Sequence, residues 1–172
     1  MCGRFALFAT GEEIAGQFGV EVSHELYPRF NIAPTQPVAA VRLVAATGAR
    51  ELTYFRWGLI PSWAKDPNIG SRMINARSES AAEKPSFRAA FKRRRCLIPA
   101  SGFYEWQQLG DRKQPIFIHA GDESLLGLAG LWEIWQSSDG SAVETCTILT
   151  TEPNELMAPI HNRMPVIIAA ED

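Results

Sequence analysis

A chain of 172 residues with 46% hydrophobic and 21% charged residues has the composition of an ordinary globular domain, which excludes an intrinsically disordered protein and a small disulfide-stapled scaffold. The formal net charge of −2 provides no general attraction to nucleic acid, so DNA binding would need a local patch. Three widely spaced cysteines, with no signal peptide and no apolar run long enough to span a bilayer, predict a single domain (residues 1–172) of the reducing cytoplasm without membrane contact.

The first half of the chain predicts one helix and one hairpin. Thr10 and Glu13 have the spacing of a capping box, and the amphipathic pattern that follows predicts a short helix. Residues 38–45 and 51–57 are rich in β-forming side chains and are separated by a turn that contains glycine, so we expect them to pair as a β-hairpin.

The second half predicts a helical segment and then a run of strands. Residues 77–95 have a helical pattern, which Pro85 divides into two short helices. A brief helical turn is expected around residues 153–157. Strand patterns occur at residues 96–99, 102–106, 114–119, 125–135, 143–150 and 164–168. Many short strands without regular βαβ alternation predict an α+β fold on a mostly antiparallel, curled and barrel-like sheet.

Cys2 is the residue whose reactivity is most clearly indicated by the sequence. If Met1 is removed, Cys2 carries an α-amine and a thiol on adjacent carbons, and the amine, with a reference pKa of about 7.7–8.0, can condense with an aldehyde. The thiol can then add to the imine and close a thiazolidine ring, a step favoured because it is intramolecular. The alternative is that a cysteine occurs near the start by chance.

Four further polar residues are candidates for a site. Asn75 and Arg77 follow a proline-containing loop and suit an oxygen-rich ligand, although both could be solvated residues at a helix start. Glu105 lies on a strand among aromatic residues, where burial would raise its pKa and suit it to acid–base catalysis, unless it faces water on an edge strand. His161 lies in a polar segment, and an imidazole side chain suits proton transfer at neutral pH, so it could transfer a proton or be structural.

Basic and aromatic residues provide weaker signals. Residues 92–95 form a basic run that could contact phosphates, but we favour its interaction with the dipole of the helix that it ends. Trp63 lies in a loop and is the tryptophan expected to stack on a base, whereas the others are expected in the core. No spacing of cysteines and histidines predicts a metal site, and no phosphate-loop motif indicates a cofactor.

Six short motifs together resemble the SRAP (SOS response-associated peptidase) family of abasic-site-processing proteins. They occur in the family's order and extend over nearly the whole chain. The motifs are Met1-Cys2-Gly3-Arg4-Phe5, Arg29-Phe30-Asn31-Ile32-Ala33-Pro34-Thr35, Trp57-Gly58-Leu59-Ile60-Pro61, Ile74-Asn75-Ala76-Arg77-Ser78-Glu79, Gly102-Phe103-Tyr104-Glu105-Trp106 and His161-Asn162-Arg163-Met164-Pro165.

The resemblance implies a covalent reaction with damaged DNA. Cys2, once N-terminal, would form a thiazolidine with the ring-opened deoxyribose of an abasic site in single-stranded DNA and so protect the strand as a crosslink. Asn75 would hydrogen-bond the sugar, Glu105 would shuttle protons, and His161 would stabilise the imine. The resemblance also implies strand scission by β-elimination, a lyase activity, and self-removal of Met1, to which the peptidase label refers.

The resemblance further implies a path for the DNA strand. Arg77 and Arg163 are expected to hold phosphates. Arg4, Asn31, Pro34 and Trp63 are expected nearby along the strand. We expect a monomer whose partners are single-stranded DNA with abasic sites and proteins of the replication fork. Because family members usually continue with another helix and strand, the chain is expected to be truncated at its C-terminus.

Two other functions stay open at this point. Glutaminase-type amidohydrolases also begin Met-Cys-Gly and use the thiol with its own amine as base, although the chain has no Asn-Gly pair for their oxyanion turn. A noncovalent single-strand-binding module would rely on the arginines and Trp63, with Cys2 incidental.

Overall fold

The structure is a computed structural model that describes residues 2–22 and 26–169. Its strands are β1 (Phe5–Leu7), β2 (Arg29–Ile32), β3 (Pro37–Leu43), β4 (Arg50–Trp57), β5 (Asn75–Arg77), β6 (Arg95–Ala100), β7 (Gly102–Leu109), β8 (Arg112–Ile118), β9 (Leu126–Gln136), β10 (Ala142–Thr151), β11 (Met164–Pro165) and β12 (Ile167–Ile168). Its helices are α1 (Gly11–Phe18), α2 (Ser78–Ala81), α3 (Arg88–Arg93) and a 3-10 helix at Pro67–Arg72.

Five strands close into a barrel. β3 pairs with β4 and β6, β6 pairs with β9, and β9 pairs with β10, all antiparallel. β10 returns to β4 in parallel and so completes the ring. The short strands β5 and β11 extend this sheet beside β10, and β12 extends it beside β9. The predicted α+β fold with a mostly antiparallel, barrel-like sheet is confirmed.

A second, four-stranded sheet packs on the barrel. Its strand order is β2-β1-β7-β8, with antiparallel neighbours. Phe5 of β1 and Phe103 of β7 are fully buried in the same apolar cluster as Phe55 and Ile148 of the barrel. The ring of Phe5 meets Trp57 edge-on at a centroid distance of 5.3 Å. The N-terminal strand is therefore held inside the main core.

Helix α1 has the predicted start and a well-defined end. The Thr10 hydroxyl accepts a hydrogen bond from the Glu13 amide at 3.2 Å, and the Glu13 carboxylate accepts one from the Thr10 amide at 2.6 Å. Gly19 ends the helix with φ of 62°, a left-handed conformation that favours glycine. Ile14 and Phe18 are buried, so one face of the helix packs on the core.

The other long elements also agree with the sequence predictions. β3 and β4 form the expected hairpin, and α2 and α3 lie on either side of Pro85. The predicted strands from residue 96 to residue 150 all occur, each with ends shifted by a few residues.

The short predictions have mixed outcomes. The brief helical turn expected around residues 153–157 is present, since the Asn154 carbonyl accepts hydrogen bonds from the Met157 and Ala158 amides at 3.1 and 2.9 Å. Asn75–Arg77, however, is a strand rather than the loop before a helix, and the short strands β1 and β2 were not predicted. The predicted strand at residues 164–168 is two strands separated by Val166, whose backbone bonds both Leu149 and Ala129. These pieces are two to four residues long, so distant partners rather than local propensity decide their conformation.

The longest helix in the described residues has 8 residues, and none of the helices there is long and apolar enough to cross a membrane.

Candidate active site

Cys2 lies at the base of the candidate site. It is fully buried and belongs to the same apolar cluster as Phe5 and Trp57. Burial raises the pKa of its thiol to about 12, and the negative charge of Glu105 is the second cause of the increase. The thiol is therefore neutral at pH 7, and the carboxylate is close enough to influence it.

Strand β7 directs Glu105 toward Cys2. Side chains alternate between the two faces of a strand, and Phe103 and Glu105 both point inward, with Glu105 only 2% exposed. The water-facing alternative for Glu105 is thereby excluded. Gln107, on the same face, donates a hydrogen bond to the Pro159 carbonyl at 3.1 Å. This contact joins β7 to the segment that carries His161.

Asn75 offers two unused polar atoms to the site. It lies on β5 opposite Ile148, and its amide oxygen and nitrogen are both buried without a hydrogen-bond partner among the described residues. The neighbouring Ile74 carbonyl accepts a 2.8 Å hydrogen bond from the Trp57 indole, and Trp57 contacts Phe5. A buried amide without hydrogen-bond partners lowers the stability of the folded state by roughly 1–3 kcal/mol. This unfavourable arrangement is expected where a ligand supplies the missing hydrogen bonds.

A close contact between two glycines shapes the loop before Asn75. Gly58 has φ of 130°, and a Cβ atom there would lie 2.6 Å from the Gly70 carbonyl oxygen. Any larger residue at Gly58 would push the 3-10 helix at Pro67–Arg72 away from the end of β4. The close contact of Gly58 with Gly70 therefore sets the path of the loop that leads to Asn75 on β5.

His161 is oriented by its own loop. Its Nδ1 atom accepts a hydrogen bond from the Arg163 amide at 3.0 Å, and its backbone amide donates to the Met157 carbonyl at 2.9 Å. Nδ1 also lies 3.1 Å from the Arg163 carbonyl oxygen, so both backbone polar groups of Arg163 contact the ring. These contacts with Arg163 and Met157 fix the position of the imidazole ring in its loop.

Arg163 is held by two elements at once. Its guanidinium donates to both carboxylate oxygens of Glu79, at 2.7 and 2.9 Å, and to the Thr150 carbonyl at 2.6 Å. Only 14% of the Arg163 side chain is exposed. Glu79 had no assigned role in the sequence prediction, yet it connects α2, directly after Asn75 and Arg77, to the His161 loop.

The remaining predicted DNA contacts form two groups. The Arg4 guanidinium donates to the Asn31 side chain at 2.9 Å, so Arg4, directly before β1, lies beside Asn31 of the neighbouring strand β2. Pro34 follows them in the turn before β3. Arg77 and Trp63 are exposed, and Trp63 keeps 59% of its surface open in the turn at residues 61–64.

The expectation that the tryptophans other than Trp63 lie in the core is wrong for Trp106. Trp106 is 37% exposed, because Glu105 points inward and the next residue along β7 must point outward. The alternation in Phe103-Tyr104-Glu105-Trp106 was the available signal. In the basic run, Arg94 forms an ion pair at 2.7 Å with the nearly buried Glu133, which gives it a structural role.

No three metal-ligating side chains converge anywhere in residues 2–22 and 26–169.

Comparison with known proteins supplies the family. The SRAP family model, described as SOS response associated peptidase, matches residues 1–172. The chain belongs to the SRAP family. It is 46% identical to the abasic site processing protein YoqW of Bacillus subtilis, over all of this chain and 78% of that protein. It is 33% identical to the abasic site processing protein HMCES of Xenopus tropicalis, over 74% of this chain and 45% of that protein.

Solved structures share the SRAP fold. A protein from Bacteroides thetaiotaomicron aligns with a TM-score of 0.90 at 28% identity, over 99% of this chain and 78% of that one. A protein from Bordetella bronchiseptica aligns with a TM-score of 0.84 at 26% identity, over 99% of this chain and 85% of that one.

Proposed function

We propose that the protein processes abasic sites in single-stranded DNA by forming a covalent crosslink through Cys2. The observation that carries the proposal is the position of the Cys2 thiol near the buried Glu105 carboxylate. An aldehyde trap needs a nucleophile and a proton carrier in one site, and this pair supplies both. The names of the YoqW and HMCES relatives agree with such a substrate.

The first step joins the Cys2 amine to the sugar. Met1, which lies outside the described residues, must first leave by hydrolysis of its peptide bond, an event we assign to self-processing. The free amine then adds to the C1′ aldehyde of the ring-opened deoxyribose. Loss of one water molecule from this adduct gives the imine.

The second step closes the ring. The Cys2 sulfur bonds to the imine carbon while the C=N electron pair moves to nitrogen, and the thiol proton ends on that nitrogen. The sulfur must lose its proton in this step, because the ring sulfur of the thiazolidine product carries none. Glu105 is placed to receive that proton and return it to nitrogen. No atom is lost in this step, so the crosslink releases one water in total.

Asn75 and His161 act on the sugar. The unused amide of Asn75 can hydrogen-bond the single free hydroxyl of the open-chain deoxyribose, on C4′, because the 3′ and 5′ oxygens carry phosphates. His161, whose ring is positioned by the Arg163 backbone, would stabilise the imine and later ring species. From the same imine, loss of the C2′ proton expels the 3′ phosphate and breaks the strand. Ring closure removes the imine, so crosslinking competes with this lyase reaction.

Arginines complete the DNA path in this proposal. Arg4, beside Asn31, and the exposed Arg77 would neutralise phosphates on the two sides of the lesion. Arg163, fixed by Glu79, would present its remaining surface to a phosphate near His161. Pro34 and Trp63 would contact sugars and bases further along the strand.

The test is to incubate the protein, with Cys2 confirmed as its first residue, with a single-stranded oligonucleotide that carries one abasic site. We expect an adduct that survives denaturing electrophoresis, with the mass of protein plus DNA minus one water, mapped to Cys2. Cys2→Ala should lose it, whereas Cys96→Ala, which alters another buried thiol, should keep it.

Other outcomes identify the other candidate functions. Absence of an adduct from a chain with a proven N-terminal cysteine contradicts the covalent proposal. Glutamine hydrolysis that depends on Cys2 would indicate an amidohydrolase. Equal binding of abasic and intact strands, unchanged by Cys2→Ala and without an adduct, would indicate a noncovalent binding module.

A further inference from the structure

The outer face of the four-stranded sheet carries a connected series of aromatic rings, which we call the aromatic row: Phe30, Phe8, Phe117, Tyr104 and His119. Phe8 stacks on Phe30 at 5.4 Å between centroids and contacts Phe117 at 6.5 Å. Phe117 contacts Tyr104 at 4.9 Å and stacks on His119 at 5.7 Å. The row crosses the sheet from β2 to the end of β8.

Strand geometry places the row outside the core. On β7, Phe103 and Glu105 point inward, so Tyr104 points outward, and its cross-strand partner Phe117 shares that face. Phe30 is 63% exposed and Phe8 is 44% exposed. Isolated exposed apolar residues are common, but contiguous aromatic rings on one sheet face indicate a binding surface.

The row begins beside the polar pair Arg4 and Asn31. Tyr104 donates its hydroxyl proton to the Phe30 carbonyl at 3.0 Å, and its amide donates to the Arg4 carbonyl at 2.8 Å. Arg4 in turn bonds Asn31, the residue after Phe30. A guanidinium and an amide that can contact phosphate therefore lie next to the exposed ring of Phe30 and the partly exposed ring of Tyr104.

Charge distinguishes the two ends of the row. Arg4 lies at the Phe30 end, whereas Glu13 and Glu123 line the cavity that Phe8 forms with Phe117 and His119 at the other end. A phosphate backbone is attracted to the first end and repelled from the second. A single strand would therefore place its backbone near Arg4 and lay its bases over Phe30 and Tyr104.

We propose that the aromatic row stacks unpaired nucleobases of the strand that flanks the abasic site. The row is thus a sequence-tolerant subsite, because every base presents a π-face to an aromatic ring. This inference rests on the proposed function, since it places intact nucleotides next to the lesion that Cys2 attacks. It gives Phe30 and Tyr104, whose rings are not part of the buried core, a role in stacking on bases.

The test measures affinity for an intact oligothymidylate that contains 2-aminopurine, whose fluorescence is quenched by stacking. Phe30→Ala should weaken binding about fivefold or more and reduce the quenching, in line with the contribution of one stacked base. Phe30→Leu, which keeps apolar surface but has no π-face, should behave like Phe30→Ala, and Phe30→Trp should restore binding. Leu156→Ala, at a residue 69% exposed outside the row, is the matched control and should bind normally.

Several results would overturn the inference. Wild-type affinity in Phe30→Ala, or full restoration by Phe30→Leu, would exclude base stacking. Self-association of the free protein in sedimentation experiments that Phe30→Ala abolishes would assign the row to a second copy. Because these experiments use DNA without an abasic site, crosslinking by Cys2 can succeed while the aromatic row fails, and the two proposals are separable.

Discussion

Glu79 and Arg163 form a two-point ion pair across 84 positions of sequence, with nitrogen–oxygen distances of 2.7 and 2.9 Å. Arg163 also supplies the amide that bonds Nδ1 of His161. One side chain on α2 therefore holds the segment that orients the candidate catalytic histidine. The pair makes Glu79 a positioning residue for the proposed reaction.

Replacing Glu79 by glutamine should slow crosslinking several-fold. A glutamine side chain has the same shape as glutamate but no charge, and its amide nitrogen cannot accept a hydrogen bond. One of the two hydrogen bonds from Arg163 is therefore lost and the other weakens, so the His161 loop is held less firmly. Single-turnover crosslinking rates across a range of pH around neutrality would measure the effect, and a changed pH profile would separate loss of His161 orientation from general damage. Glu83→Gln, at an exposed neighbouring glutamate, is the control. An unchanged rate and profile in Glu79→Gln would remove the positioning role.

Acid should weaken the fold partly through the same ion pair. Hydrogen bonds from Arg163 lower the pKa of Glu79 from 4.5 to about 2. A carboxyl group whose pKa is lowered in the folded state stabilises that state above its unfolded pKa and loses this effect as the pH falls through the folded value. The loss should therefore occur between pH 4.5 and about 2. Thermal unfolding midpoints of wild type and Glu79→Gln should converge over that interval, and a constant difference would contradict the assignment.

Glu105→Gln should make the Cys2 thiol more acidic. The negative charge of Glu105 raises the pKa of the thiol, so its removal lowers that pKa, while burial, the larger cause, keeps it above the ordinary value. Alkylation of Cys2 by a small reagent, followed by mass mapping over a series of alkaline pH values, should rise at lower pH in the variant. Alkylation of Cys96 in the same samples is the internal control, and superimposable Cys2 profiles would disprove the coupling.

Asn75→Leu should exchange activity for stability. The Asn75 amide has two buried atoms without hydrogen-bond partners, and a leucine of similar shape removes their desolvation cost, so the free energy of unfolding should rise by about 1 kcal/mol. The same change removes the contact proposed for the sugar and should slow crosslinking by about tenfold or more. Denaturant unfolding and crosslinking kinetics measure the two effects. A destabilised variant would mean that Asn75 already has partners in the free protein.

Glu105→Ala tests the proton carrier separately from binding. Crosslinking to an abasic strand should slow, because the Cys2 proton loses its acceptor, while affinity for an intact strand should change little. A gel-based time course and a binding titration on the same preparation are sufficient. Crosslinking at the wild-type rate would eliminate the proposed role of Glu105.

Long elements could be predicted from the sequence because their signals are local. The capping box of Thr10 and Glu13, the alternation along β7 and the break at Pro85 each predict an element from nearby residues alone. The short strand β5 could not be predicted this way. Its conformation comes from pairing with Ile148 to Thr150, which lie far along the chain in β10.

The candidate site, too, was predicted only in part from the sequence. The sequence by itself determined which functional groups are available, because the cysteine at position 2 and the motifs around Asn75, Glu105 and His161 are part of the covalent structure. Tertiary structure decided which groups meet: Glu105 inward beside Cys2, Asn75 with an unused amide, and Glu79 on Arg163. Burial, charge coupling and hydrogen bonding depend on distances between atoms far apart in the chain, and only folding sets those distances.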